Sequence, residues 1–401
     1  MTSGRKKVLI LGGASYSIKA IQAVRDNGYD AIVADRNPRA AAAPYADTFL
    51  PIDISDRKAI LYASVHYRAD AIVPLNDYGV PVAAYVASQL GLPGISEEAA
   101  EISCNKELMR KRWSEQGIPC PKYRIAVTRE ECREAIEDVG IPCILKPAHG
   151  VGGGSRGVVV VREPAEIEPA ITLSRSYYSD KTTLVETFIA CELEHSAEVL
   201  ICGGEEMHVL SVSDKIKSPL PYRVDKNVLY PTALGPDRRR QLEEVIKTSV
   251  RTLGITLGSA HVEIATTADG FILFELGARC GGGGTPDPII PWVTGVNQMV
   301  EVIRLHLGEK PCIDRRARER GANYHFIFPR EGILKKVYGL EQVQKLEGVL
   351  DAQIVVAPGQ VLTTVKSHVD RAGFIIAAGQ TQQEAYEIGT AAEKRIELVY
   401  Q

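Results

Sequence analysis

The sequence contains no apolar run near the ~20 residues that a membrane-spanning helix requires. Stretches such as Val8–Ala14 stop far short. An excess of one charge is missing too. Lysine plus arginine number 47 and aspartate plus glutamate 50, for a net charge of −3. A chain so balanced has no global field for gripping a polyanion, which argues against a dedicated nucleic-acid binder. The eight cysteines (104, 120, 132, 143, 191, 202, 280 and 312) include no CxxC pair and no Cys/His grouping at zinc spacing. They read as reduced, small core residues. Arg5, Lys6 and Lys7 resemble the start of a secretion signal, but the apolar stretch after them ends at Ser15 and an amphipathic pattern follows. The expected location is the cytoplasm, with no membrane partner. What is present is ordinary for a globular protein with sizeable cores: 45% hydrophobic and 24% charged residues. At 401 residues the chain has room for about two to four domains.

Its first hundred residues alternate apolar strands (Val8–Leu11, Ala31–Ala34, Ala71–Pro74) with helical spacing (Ile18–Asn27, Val80–Leu90). That alternation predicts a parallel α/β sheet. One more helix is expected from Asn105 to Gly117, followed by a small α/β unit to about residue 185. Beyond Gly308 the chain turns strand-rich, with expected strands at Tyr324–Phe328, Gln353–Val356, Val361–Ser367 and Phe374–Ala378 and a last helix at Gln382–Ile396. The turn after the first strand, Gly12-Gly13-Ala14-Ser15-Tyr16-Ser17, lacks the third glycine of a dinucleotide fingerprint. A nicotinamide cofactor is therefore not expected.

The residues that point to chemistry begin at Lys106. Lys146 closes an apolar strand, Ile144-Leu145-Lys146-Pro147, and the run Gly150-Val151-Gly152-Gly153-Gly154-Ser155-Arg156-Gly157 follows. Five glycines in eight residues let backbone N–H groups converge on phosphate oxygens. A lysine ending a buried strand needs an anionic partner, and a polyphosphate supplies one. Further on, His261-Val262-Glu263-Ile264 and Ile272-Leu273-Phe274-Glu275 flank the turn Ala268-Asp269-Gly270, as in a hairpin. Alternation puts His261 and Glu263 on one face, with Glu275 opposite Glu263. Two facing carboxylates repel unless a cation lies between them, and such hard oxygen ligands suit Mg²⁺ or Mn²⁺. The alternative is a solvent-facing pair on an edge hairpin. The apolar neighbours Val262, Ile264, Ile272 and Leu273 instead place the hairpin centrally. Arg279, next to Cys280-Gly281-Gly282-Gly283-Gly284, could hold a carboxylate or acyl phosphate by paired hydrogen bonds. Cys280 needs no role beyond that of a small residue, since nothing supplies a base to activate it. His208 reads as structural, and His261 either as a base or as a group orienting Glu263. Lys215, Lys217, Arg223 and Lys226 lie near Pro219 and Pro221 and read as a basic loop, either solvated or able to bind substrate carboxylates.

With these parts in this order, the chain resembles the ATP-grasp superfamily, and within it the carboxylate–amine ligases that join amino acids. Asn76-Asp77-Tyr78-Gly79-Val80, Cys104-Asn105-Lys106, Ile144-Leu145-Lys146-Pro147 and Glu275-Leu276-Gly277-Ala278-Arg279 carry the resemblance. It implies an α/β, ATP-grasp fold with an N-terminal Rossmann-like domain (1–104) and a small lid subdomain with its connecting helix (105–186). A large subdomain (187–308) and a β-rich C-terminal subdomain (309–401) would follow. ATP with Mg²⁺ or Mn²⁺ would be the cofactors. By the same resemblance Lys106 and Lys146 would hold the α- and β-phosphates, and the loop with Gly152, Gly153, Gly154 and Ser155 would close over them. Glu186 and the backbone of Phe188 and Ile189 would meet the adenine, and Glu194 the ribose. Glu263 and Glu275 would bind metal, and Arg279 would steady the transferred phosphoryl group.

Two departures stand out. Gly277 occupies a position where many family members carry a ligating Asn. Ala190-Cys191-Glu192-Leu193-Glu194 lacks a usual glycine, so Glu192 rivals Glu194 for the ribose. The implied reaction is ADP-forming amide or peptide synthesis through an acyl phosphate, from small carboxylate and amine substrates of the amino-acid class. The closest alternative is a purine-pathway enzyme of the same fold that carboxylates or formylates an aminoribonucleotide. An oxidoreductase and a non-catalytic nucleotide sensor are more distant. A homodimer is the usual expectation for a soluble enzyme of this size.

Overall fold

In the computed structural model, residues 4–149, 154–313 and 320–401 are described. The Gly152 and Gly153 expectations fall outside them. Strands β1 (Lys7–Leu11), β2 (Asp30–Ala34), β3 (Thr48–Leu50) and β4 (Ala71–Pro74) form a parallel sheet in the order β3-β2-β1-β4. Its apolar strands are buried on both faces: Leu9, Leu11 and Ile32 pack against Ile60, Val82 and Val86, while Val8, Ile10 and Val33 pack against Ile21 and Val24. This is the Rossmann-like arrangement read from the sequence.

A helix at Lys106–Glu115 follows. The side chain of its cap, Asn105, accepts from the backbone N–H groups of Glu107 and Leu108 at 3.0 and 3.2 Å. That bond satisfies orphan donors and fixes Lys106 as the first helical residue. Next come β5 (Tyr123–Ala126), β6 (Cys143–Pro147), β7 (Val159–Val161) and β8 (Thr183–Thr187), an antiparallel sheet ordered β5-β8-β6-β7.

The remaining strands are β9 (Leu193–Gly203), β10 (Glu206–Lys217), β11 (Asp225–Tyr230), β12 (Gly258–Thr267), β13 (Gly270–Gly277), β14 (Gly321–Ile327), β15 (Gly332–Tyr338), β16 (Val349–Ile354), β17 (Val361–Leu362), β18 (Gly373–Gly379) and β19 (Glu397–Tyr400). Eight of them make one sheet, β13-β12-β9-β10-β11-β14-β18-β16, and β17-β15-β19 make a small one. The large sheet runs across residue 308, because β14 pairs with β11.

Four readings are corrected by this architecture. The hairpin expected to be central is not: β13 is the edge strand of the large sheet. Its apolar side chains answer to helices instead, with Leu273 and Phe271 packed among Trp113, Leu242 and Ile246. Lys215 and Lys217 are not in a loop but on β10, two residues apart on one face, Lys215 buried and Lys217 half-buried. The last helix ends at Glu393, and the alternating Glu397-Leu398-Val399-Tyr400 forms an edge strand paired with β15. The strand expected over Val361–Ser367 stops at Leu362, where Ser367 caps a short 3₁₀ turn at His368–Asp370.

Candidate active site

A cavity of about 550 Å³ lies between the parallel sheet, the small antiparallel sheet and the β12–β13 hairpin. Lys106, Lys146, Gly154, Ser155, Glu186, Phe188, Ile189, Glu194, Glu263, Glu275 and Arg279 all line it. Lys106 and Arg279, 173 positions apart in sequence, therefore line one cavity.

The first group surrounds Glu186. Lys146, at the end of β6, puts its ammonium 2.6 Å from one Glu186 oxygen, and Arg110 Nε lies 2.5 Å from the other. Arg110 is fully buried and also donates to the Phe274 carbonyl at 2.5 Å. Burial alone would raise the Glu186 pKa, but the guanidinium and the ammonium overcome it and hold the carboxyl below its usual range. For Lys146 burial wins, with help from Arg110, and its pKa falls. Two cations against one anion leave an excess positive charge on the cavity wall, which an anionic ligand would neutralise. The carboxylate of Glu186, expected at an adenine, is thus occupied in holding Lys146. Arg110 went unnoticed in the sequence, where it sits within the charged run Arg110-Lys111-Arg112.

On the hairpin, Glu263 and Glu275 are direct cross-strand partners, as the alternation predicts. Each meets an ammonium: Lys215 Nζ is 2.5 Å from Glu263, and Lys106 Nζ is 2.8 Å from Glu275. Lys215 belongs to a buried ionic cluster in which Lys217 bridges Glu194 (2.5 Å) and Asp225 (2.8 Å). Burial would raise the Glu263 pKa, yet Lys215 and Lys217 force it well below the normal value. Glu263 is therefore ionised, the two carboxylates face each other and each already pairs with a lysine, and an all-oxygen donor pair of this kind fits Mg²⁺.

Arg279 is clamped by Asp77, with Nε to Oδ1 at 2.8 Å and Nη2 to Oδ2 at 3.0 Å, and its Nη1 donates to the Cys280 carbonyl at 3.0 Å. Asp77 follows β4, at the carboxyl end of a parallel strand, where ligands of open α/β sheets bind. That position was the signal for it, and no role was read there. A Cβ on Gly277 would lie 3.1 Å from Asp77 Oδ1. Asp77 thus takes up space that an Asn at 277 would need.

His261 directs Nδ1 to Glu198 at 2.5 Å and places Nε2 4.0 Å from Glu263. Glu198 also accepts from the Gly281 N–H (3.0 Å) and Gln298 (2.9 Å), so it ties β9, β12 and the glycine run together. Burial pushes the Cys280 thiol up to about 12, consistent with a small core residue. Glu194 is buried on the cavity wall, whereas Glu192 is exposed. The Phe188 N–H is bonded to the Pro142 carbonyl at 3.1 Å.

The glycine-rich segment is held at its described end by the C-terminal region. His368 N–H donates to the Gly154 carbonyl at 2.8 Å, and its Nε2 is 3.3 Å from Ser155 Oγ. Gly157 has φ +74°, and a Cβ there would meet Pro147 and the Ser174 carbonyl at 3.0 Å, so glycine is required.

The ATP-grasp domain family matches residues 111–285, and the family described as L-amino acid ligase C-terminal domain 2 matches residues 325–401. The uncharacterized protein y4rH of Sinorhizobium fredii is 27% identical over 317 residues, covering 78% of this chain. The chain spans 64% of that relative's length. The structure of L-amino acid ligase from Bacillus licheniformis superposes with a TM-score of 0.85 at 23% identity, covering 100% of both chains. Phosphoribosylglycinamide synthetase from Anaerococcus prevotii gives 0.77 at 16% identity, covering 99% of this chain and 100% of that one.

Proposed function

We propose that this chain, which has the ATP-grasp fold, is an ATP-dependent carboxylate–amine ligase that forms an amide or peptide bond and releases ADP and phosphate. One observation carries the reading: Lys106 and Lys146, the facing carboxylates Glu263 and Glu275, and the clamped Arg279 converge on a single cavity. Adenine binding alone would not call for them. The matched C-terminal family favours amino acids as the substrate class.

Lys106 and Lys146 would hold the α- and β-phosphates, the excess charge around Glu186 adding to their field. Phe188 and Ile189 would border the adenine, and Glu194 the ribose hydroxyls. Glu263 and Glu275 would hold Mg²⁺ or Mn²⁺, displacing Lys106 and Lys215. Bound there, the metal would supply positive charge to neutralise the phosphates.

A substrate carboxylate oxygen attacks the γ-phosphorus, a new O–P bond forms, and the bond to the β-bridging oxygen breaks with ADP leaving. The amine then attacks the acyl carbon, a C–N bond forms as the acyl C–O bond to phosphate breaks, phosphate departs, and the nitrogen's proton passes to solvent. Arg279, fixed by Asp77, presents paired donors to the acyl phosphate, so the protein's part is mostly positioning and charge stabilisation. The setting would be cytoplasmic and the enzyme a homodimer.

The experiment is ADP and phosphate release from Mg-ATP with pooled amino acids and small carboxylic acids. Release that requires both an acid and an amine supports the ligase. The likeness to phosphoribosylglycinamide synthetase favours one second reading, an enzyme acting on an aminoribonucleotide. Release stimulated by bicarbonate or formate with an aminoribonucleotide, and by no amino-acid pool, would transfer the assignment to it. AMP as product would remove the acyl-phosphate route.

A further inference from the structure

The β9–β10 hairpin carries a second group of ligating side chains, at the end remote from the cavity. Glu194 on the cavity wall and Cys202 near the hairpin tip are eight residues apart on β9, or about 26 Å at ~3.3 Å per residue. Cys202 precedes the left-handed glycines Gly203 and Gly204, and Glu206 and His208 open β10. Register explains why the three meet. Met207 pairs with Ile201 and His208 with Leu200, but the ladder slips before Met207 and Glu206 falls opposite Gly203. A bulge of this kind re-aims side chains at a strand end. Glu206 and His208, two apart, share a face, and so do Leu200 and Cys202 opposite them.

The outcome is that a thiol, a carboxylate oxygen and a ring nitrogen all lie within 4.8 Å of one another. His208 Nε2 is 3.3 Å from Glu206 Oε1. Among the described residues this is the one group of three His, Cys, Asp or Glu side chains so arranged. Cysteine spacing alone gave no sign of it, because the third ligand is a glutamate and the fold supplies the contact.

We propose that Cys202, Glu206 and His208 form a binding site for one Zn²⁺ ion, separate from the nucleotide cavity, with water as the fourth ligand. A sulfur, a nitrogen and an oxygen donor together suit zinc and not magnesium. Zinc bonds of roughly 2.0–2.3 Å at tetrahedral angles place ligand atoms about 3.3–3.7 Å apart. Closing from 4.8 Å asks for a shift of about 1 Å. The Glu206 side chain, 68% exposed, has the freedom to supply it, and Gly203 and Gly204 have open space around them. The neighbouring charges suit a cation. Arg251 is paired with Glu205 at 2.7 Å, and Glu206 and Glu301 add negative potential at Cys202. Zinc binds cysteine as the thiolate and so displaces a proton, and its affinity should rise with pH.

The test uses the full chain, stripped with a chelator and re-equilibrated with Zn²⁺ in excess Mg²⁺, which occupies the Glu263 and Glu275 carboxylates. After desalting it should retain about one zinc per chain. Co²⁺ in place of zinc should give thiolate-to-metal charge-transfer absorption and tetrahedral d–d bands. Cys202→Ser should abolish the charge-transfer band, and His208→Gln should weaken zinc retention at least about tenfold. Both variants should keep the wild-type circular dichroism and Mg-nucleotide affinity. No retained zinc in the wild type, or a charge-transfer band that survives Cys202→Ser, would overturn the site.

Discussion

Replacing Asp77 by Asn tests whether Arg279 works because it is held. The two oxygens of Asp77 lie 2.8 and 3.0 Å from Arg279 Nε and Nη2, and both side chains are largely shielded from water, at 17% and 14% exposure. Asparagine keeps one acceptor and turns an N–H₂ toward the guanidinium in place of the other. One charge-assisted bond is lost, on the order of 1.5–3 kcal/mol. The remaining anchors are the retained amide oxygen and the Cys280 carbonyl. If all of that energy appears as lost transition-state stabilisation, kcat falls roughly 10- to 160-fold. The affinity for Mg-ATP should change little, because Lys106, Lys146 and the hairpin carboxylates keep their partners. Steady-state kinetics with the activating acid and amine, alongside ATP titration, separate the two quantities. An unchanged kcat with a lowered melting temperature would refute the reasoning, since Asp77 would then merely tether the first sheet to the hairpin.

Other substitutions probe the rest of the wall. Glu275→Gln removes one of the facing carboxylates and should lower turnover at least about 100-fold while Mg-free nucleotide still binds in equilibrium dialysis; turnover within a few-fold of wild type would contradict a metal role. Arg110→Met leaves buried Glu186 with Lys146 as its remaining ion-pair partner and should cost about 3–5 kcal/mol in urea denaturation. The double change Arg110→Met/Glu186→Leu should recover much of that loss, and strictly additive effects would argue against a coupled triad. Glu393 gives a pH signature. Burial would raise its pKa, but hydrogen bonds from His325 and Lys226 hold it at about 2, below the ordinary 4.5. Its ionised form therefore adds stability above 4.5, and that contribution is lost as pH falls toward about 2. The melting-temperature gap between wild type and Glu393→Gln should be full near neutrality and close in acid; a gap independent of pH would refute the assignment.

Much of this arrangement is legible in the sequence because it depends on local periodicity. The first sheet follows from continuous apolar strands, and the Glu263–Glu275 pairing from two-residue alternation about Ala268-Asp269-Gly270. Contacts between distant elements are harder to read. Arg110 lies on a helix and Glu186 on a strand, 76 residues apart, and nothing in either segment announces the other. Lys215 and Lys217 look like a loop because Pro219 and Pro221 follow closely, yet their alternation places both on one face, where Glu194, Asp225 and Glu263 neutralise them. The edge position of β13 was hidden for a related reason. Apolar residues on both faces of a strand normally mean a central place in a sheet, but here helices cover what a neighbouring strand would.

Oxygen transfer from substrate to phosphate tests the proposed chemistry most directly. With carboxyl-¹⁸O-labelled amino acids, Mg-ATP and the enzyme, attack on the γ-phosphorus must carry one labelled oxygen into the released phosphate. Mass spectrometry should find ADP together with phosphate bearing one ¹⁸O, in amounts equal to the amide formed. Unlabelled phosphate, or label appearing in AMP, would contradict an acyl-phosphate ligase.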